Sequence, residues 1–182
     1  MAFAAAHPER VGRIVLFNTA AFHLPKGKKV PLALTFMRDL RVGALMVRGL
    51  NGMSRGASWI GCKRRPMPRA VRDAYTAPYD TWDHRIATLR FVQDIPVRPG
   101  DRSYDDVSAV ERSLPRFRGT PALLCWGERD FVFDREVLDV WRGVWPDAEV
   151  LALADCGHYV LEDGAEDVIP RVQAFLRAHP LS

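Results

Sequence analysis

The sequence predicts an α/β protein built on a parallel sheet, and three observations lead there. Three short apolar runs, Val11–Phe17, Pro121–Trp126 and Glu149–Leu153, each end in turn or polar residues, as strands buried in a parallel sheet do. One amphipathic helix separates the second run from the third, and another follows the third. Strand, helix, strand, helix is the order of a doubly wound sheet. With 182 residues, 48% of them hydrophobic and 26% charged, the chain can bury a sizeable core and lacks the composition of a disordered tail.

Each element has its own justification. Met1–Ala6 is helical by propensity but has no capping residue before His7-Pro8 breaks it, so it reads as the tail of a longer helix. The first strand ends at Asn18-Thr19 and is expected to have neighbours on both sides, because a run apolar on both faces rarely stands at an open edge. Residues 23–100 change texture. Pro25, Pro31, Pro66, Pro68, Pro78, Pro96 and Pro99 punctuate short apolar stretches such as Leu32–Leu50 and Ala57–Cys62, and no strand alternation is visible. This predicts a helical insertion lying over the sheet as a cap. A helix over Tyr104–Leu114 leads back to the sheet. Arg135–Trp145 forms a helix with Val137, Leu138, Val140, Trp141 and Val144 inward, and Ala165–Ala178 another with Val168, Ile169, Val172, Phe175 and Leu176. Pro170 should start or kink that last helix. The chain thus divides into 1–22 (helix tail and first strand), 23–100 (cap) and 101–182 (C-terminal core).

Composition narrows the function classes. The longest uncharged apolar stretch, Val30–Met37, is too short to span a bilayer, and the N-terminus lacks the basic start of a secretory signal. Cys62, Cys125 and Cys156 are odd in number and unpaired in spacing, which favours reduced thiols in the cytoplasm over disulfides or zinc. Residues 1–100 hold 17 Lys and Arg against 6 Asp and Glu, whereas residues 101–182 hold 9 against 16. Clusters at Lys26–Lys29 and Lys63–Arg65 could suggest nucleic acid, but no nucleic-acid motif accompanies them, and basic loops in solvent are the simpler reading.

Ligands of open α/β sheets gather at the carboxyl ends of the strands. Gly127-Glu128-Arg129-Asp130 follows the second strand there, and Cys156-Gly157-His158-Tyr159 follows the third. A carboxylate and an imidazole on adjacent loops form the orienting pair of a nucleophilic hydrolase, in which the acid fixes the tautomer of the base. Asp130 alone could be a helix cap, and His158 alone a loop histidine. Their joint placement makes them the candidate acid and base, with Glu128 and Asp134 as substitute acids and Asp155 too near His158 in sequence.

Here the sequence resembles a known family. Ala4–Phe22 (AAAHPERVGRIVLFNTAAF), Trp126–Asp130 and Gly157–Asp163 (GHYVLED) are similar to haloalkane-dehalogenase-type α/β-hydrolases. The cap phrases Ala74–Trp82 (AYTAPYDTW) and Arg90–Pro96 (RFVQDIP), with Leu124–Phe133 (LCWGERDFVF), resemble the β-lactone decarboxylase branch of bacterial long-chain olefin biosynthesis. The resemblance implies an Asp-His-Asp triad with an aspartate nucleophile on a turn upstream of Met1, no metal or organic cofactor, and a small hydrophobic substrate. It also implies possible partners among the other enzymes of olefin synthesis. Haloalkane dehalogenase and epoxide hydrolase are the alternative activities, and an inert truncated chain is a third reading. Cap aromatics Trp59, Tyr75, Tyr79 and Trp82, and Asn18 at the first strand's end, are candidate substrate contacts.

Gly52-Met53-Ser54-Arg55-Gly56 satisfies G-x-S-x-G, and Ser54, Asp130 and His158 fall in hydrolase chain order. The motif needs a buried strand before the serine and a long helix after it. Polar Arg48 and Asn51 precede it, so a turn within the cap is expected.

Overall fold

The computed structural model describes residues 1–181. Three parallel strands form one sheet in the order β1 (Ile14–Phe17), β2 (Ala122–Gly127), β3 (Glu149–Leu153). Ile14 lies beside Ala122 and Phe17 beside Cys125; Leu123 lies beside Glu149 and Gly127 beside Leu153. The second strand in the chain is therefore the central one, and every residue of it is buried. The expectation of three equally buried strands holds for β2 alone. Only Ile14 is buried in β1 and no residue is in β3, because each forms an edge of the sheet described here.

The alternation of β2 builds two cores. Ala122, Leu124 and Trp126 point to one face and meet Phe22, Leu114, Phe117, Val137, Leu138, Trp141 and Trp145. Leu123 and Cys125 point to the other and meet Cys156, Val160, Val168 and Phe175. Helices α7 (Tyr104–Ser113) and α8 (Arg135–Val144) cover the first side, and α10 (Ala165–Ala178) covers the second. Numbering follows the chain order from α1 (Ala2–Ala6), with α9 (Val160–Asp163) just after the loop that carries His158. Sheet between helix layers is the predicted architecture.

Local chemistry explains the helices that frame the site. Asp134 caps α8, its side chain accepting the Glu136 N–H at 3.1 Å, with Glu136 in the first turn and Arg142 in the last, as the helix dipole favours. Trp141 packs edge-on against Phe22 and donates its indole N–H to the Thr19 carbonyl at 2.8 Å, tying α8 to the segment after β1. In α10, Pro170 sits inside the helix and does not begin it, contrary to one of the two sequence expectations. The short α9 was not foreseen; four residues carry too little periodicity to read.

Residues 23–100 contain α2 (Leu32–Asp39), α3 (Arg41–Leu50), α4 (Gly52–Ile60), α5 (Arg69–Thr76) and α6 (Ile86–Gln93), the helical insertion the sequence predicts. Leu34, Val47, Met67, Leu89 and Val92 are its buried apolar residues. The three cysteines are free thiols. Burial pushes Cys125 up to about 11 and Cys156 to about 12, so both stay protonated and unreactive at neutral pH.

Leu124 is fully buried between β2 and α8. Leu124→Ala is expected to cost about 2–5 kcal/mol, read as a lower midpoint in urea denaturation with far-UV dichroism retained. A loss below about 1 kcal/mol would contradict this packing.

Candidate active site

The register of the sheet places two loops side by side. β2 ends at Gly127 next to Leu153, the last residue of β3, so the chain leaves both strands at the same rim. Main-chain bonds hold the exits together: the Glu128 N–H donates to the Leu153 carbonyl at 3.0 Å, and the Arg129 N–H to the Cys156 carbonyl at 2.9 Å. Gly127 is required, since a Cβ there would collide with the carbonyl oxygen of Gly157.

This approach brings the predicted acid and base into contact. His158 Nδ1 lies 2.7 Å from Asp130 Oδ2. The Asp130 side chain is fully buried, while that of His158 is 30% exposed. A buried carboxylate needs its lone pairs occupied, and Asp130 has three partners. Its Oδ2 accepts from His158 and from Asn18 Nδ2 at 2.9 Å, and its Oδ1 accepts the Val132 N–H at 2.8 Å. The imidazole lies among rings, with Phe131 at 5.7 Å, Phe133 at 6.0 Å and Tyr159 at 5.6 Å between centroids. With Nδ1 engaged by the carboxylate, Nε2 is the nitrogen left for proton exchange with a reactant.

Asn18, expected as a substrate contact, faces the acid loop. It is buried, and its φ of 24° lies at the margin of the left-handed region that asparagine tolerates. Its Nδ2 reaches Gly127 O at 2.9 Å, Asp130 Oδ2 at 2.9 Å and Phe133 O at 3.2 Å, and its Oδ1 accepts the Gly127 N–H at 2.8 Å. One amide therefore fastens the end of β1 to the start and finish of the acid loop.

The substitute acids are occupied elsewhere. Asp134 caps α8 and meets Lys28 Nζ at 2.5 Å, Glu128 lies 3.9 Å from Arg135, and Asp155 pairs with Arg64. Ser54 lies within helix α4, where its hydroxyl donates to the Asn51 side chain, so it is neither on a strand-to-helix turn nor on the expected cap turn. Among the cap aromatics, Trp59 and Trp82 are exposed beneath Arg72 and Arg48, at 4.0 and 4.2 Å. The backbone carbonyl of Tyr79 accepts from Asn51 and Arg85. Tyr75 reaches the base loop: its ring is 5.0 Å from that of Tyr159 and its hydroxyl donates to Glu162 at 3.0 Å. Burial first, and then Glu162, pushes the Tyr75 hydroxyl up to about 12, so it remains a donor at neutral pH.

The charge asymmetry has a local outlet at this rim. Arg64 of the basic half bonds Asp155, Glu166 and Asp167 of the acidic half at 2.8–3.0 Å, and Arg65 bonds Glu166 at 2.8 Å. Such exposed pairs add little stability individually. Asp163, a buried carboxylate beside them, escaped the sequence reading; only its place at the end of the quoted Gly157–Asp163 phrase could have marked it.

The profile of the alpha/beta hydrolase fold family matches residues 1–165. The chain belongs to that family. It is 51% identical over 176 residues to a protein of Shewanella oneidensis and 46% identical over 179 residues to one of Xanthomonas campestris pv. campestris. Both carry the name cis-3-alkyl-4-alkyloxetan-2-one decarboxylase, an oxetan-2-one being a β-lactone. These matches take in 97% and 98% of this chain but 55% and 59% of the relatives, so the chain spans little more than half their length. Among solved structures, the haloalkane dehalogenase DatA from Agrobacterium tumefaciens C58 superposes with a TM-score of 0.82 at 20% identity, over 98% of this chain and 62% of that one. DbeA from Bradyrhizobium elkani USDA94 superposes at 0.81 and 20% identity, over 97% and 62%. At that identity the likeness carries the fold alone. The α/β-hydrolase resemblance read in the sequence is borne out, with relatives named as β-lactone decarboxylases and haloalkane dehalogenases that share the fold.

Asn18→Ala would strip partners from Asp130, Phe133 and both polar groups of Gly127. The expected cost is about 2–4 kcal/mol in urea denaturation, larger than for an exposed asparagine. A loss within about 0.5 kcal/mol would show that this amide is not the fastening it looks to be.

Proposed function

We propose that this chain carries the base, His158, and the orienting acid, Asp130, of an α/β-hydrolase that decomposes cis-β-lactones bearing two long alkyl chains into an alkene and carbon dioxide. The observation that carries the chemistry is the 2.7 Å contact between His158 Nδ1 and Asp130 Oδ2 at the carboxyl ends of neighbouring parallel strands. The substrate class rests on the two relatives named for decarboxylation of an alkyl-substituted oxetan-2-one.

The triad is completed by an aspartate on polypeptide preceding the segment described here. Its carboxylate attacks the alkyl-bearing, non-carbonyl ring carbon that is bonded to the ring oxygen; that carbon–oxygen bond breaks, leaving an alkyl ester on the enzyme and a free carboxylate on the substrate. Loss of carbon dioxide then moves the electron pair of the breaking carbon–carbon bond into the new double bond, and the enzyme's aspartate departs with its own electrons. No proton or water is consumed. In this scheme the imidazolium form of His158, oriented by Asp130, donates its Nε2–H to the developing carboxylate and keeps its proton. On a substrate lacking that carboxylate, the same base would activate water against the ester. That second course is the dehalogenase-like reading.

The apolar cap residues Leu32, Phe36, Leu40, Leu45 and Met46 are all exposed, a surface compatible with greasy chains. Among the described residues no helix is long and apolar enough to cross a membrane. We place the protein in the cytoplasm, acting beside other enzymes of olefin synthesis.

Reconstitution tests this reading. The 182-residue chain, co-expressed with the part of the Shewanella relative that it does not cover, is expected to release alkene from a cis-3,4-dialkyl β-lactone, measured by gas chromatography. His158→Ala or Asp130→Asn should lower that turnover by about 10⁴-fold. Turnover by the chain alone that vanishes in Ser54→Ala would contradict the scheme.

A further inference from the structure

Asp163 is the last residue of α9, and its carboxylate is buried. No Lys or Arg side chain among the described residues forms an ion pair with it; four main-chain N–H groups surround it. Oδ2 accepts from Lys63 N at 2.6 Å and Gly157 N at 2.7 Å, and Oδ1 accepts from Arg64 N at 3.0 Å and Arg65 N at 3.3 Å. Three of these donors belong to the cap insertion. The fourth belongs to the residue immediately before His158.

The fastening runs in both directions. The Tyr159 N–H, on the other side of His158, donates to the carbonyl of Gly61 at 3.3 Å. A Cβ on Gly157 would strike that same Gly61 carbonyl, and a Cβ on Gly61 would strike the ring of Tyr159. The two backbones therefore meet at a distance that only glycines allow. Both neighbours of His158 are tied to cap residues 61–65 through main-chain bonds, and the Asp163 carboxylate is the hub.

We propose that Asp163 is a positioning residue for the base: it clasps cap segment Lys63–Arg65 to Gly157, and His158 keeps its bond to Asp130 only while that clasp is closed. The proposal rests on reading His158 as the base. Hydrogen bonds to a charged acceptor are short and strong, so one buried carboxylate with four donors is a stiff joint. Arg64 and Arg65 contribute their N–H groups to the clasp, while their exposed guanidinium groups bind Asp155, Glu166 and Asp167 outside it. The cap and the base loop are in this way one mechanical unit, and displacing residues 63–65 moves the imidazole.

Nuclear magnetic resonance on the full 182-residue chain tests this. In the wild type, the Lys63, Arg64 and Gly157 amides should exchange with solvent slowly, and the His158 Nδ1–H should give a far-downfield proton resonance. In Asp163→Ala and Asp163→Asn, those amides are expected to exchange about tenfold faster or more, with the downfield resonance lost or moved upfield. Arg64→Ala, which removes the outer ion pairs but keeps the N–H, should leave both signals in place. Retention of the downfield resonance in a folded Asp163→Asn protein would overturn the proposal while leaving the acid–base pair standing. Its absence from the wild type, with Asp130→Asn indistinguishable, would overturn the acid–base reading and this proposal with it. Should Asp163→Ala fail to fold, Asp163→Asn and the wild-type exchange rates still decide: rapid exchange at Lys63, Arg64 and Gly157 would rule the clasp out.

Discussion

A carboxylate buried from solvent can remain charged only if its environment replaces the water it has lost. Asp130 meets that condition with a main-chain N–H, an asparagine amide and an imidazole. The rest of the structure serves those three donors. The parallel register of β2 and β3 sets Gly127 against Leu153, the main-chain bonds across the two exits fix the loops, and Asn18 brings in the end of β1. One of the three bonds to Asp130 engages His158 by Nδ1 and leaves Nε2 without a hydrogen-bond partner among the described residues. A surface pairing of the same two residues would be weak and mobile. Burial of one partner makes it directional.

The surroundings of the pair divide into two kinds of support. On the Asp130 side the support is the sheet itself, whose central strand is buried along its full length and cannot shift without disturbing both cores. On the His158 side the support comes from the cap, through Gly61 and residues 63–65. An insertion of five helices between β1 and β2 thus returns to touch the loop after β3, and its basic residues at that seam meet acidic residues of the C-terminal core. The opposite charges of the two halves, which invited a nucleic-acid reading in the sequence, are complementary at this junction.

Much of this was legible in the chain itself. The three strands were visible because apolar runs stop abruptly at Asn18, Gly127 and Asp155, and the α8 and α10 helices because Val137, Leu138 and Trp141, or Val168 and Phe175, recur at helical spacing. Asp130 and His158 could be paired because parallel strands deliver their following loops to a common rim. What could not be read depends on contacts between distant segments. Asn18 sits 112 residues from the carboxylate it bonds, and nothing local distinguishes a side chain aimed at a ligand from one aimed at a neighbouring loop. Asp163 bonds main-chain groups about a hundred residues away, and backbone donors leave no mark in a sequence. The unequal burial of the strands escaped for a related reason: apolar content reports how a strand can be covered, and its place in the sheet decides whether it is.

Which nitrogen of His158 carries the proton decides whether Asp130 holds the imidazole. Nitrogen-15 shifts of the imidazole, recorded on the intact chain above the pH at which the ring becomes neutral, report the tautomer directly. The Nδ1–H form should predominate, because Asp130 accepts from that position. A ring found mainly as the Nε2–H tautomer, the form free histidine prefers in water, would mean that the carboxylate does not hold the imidazole.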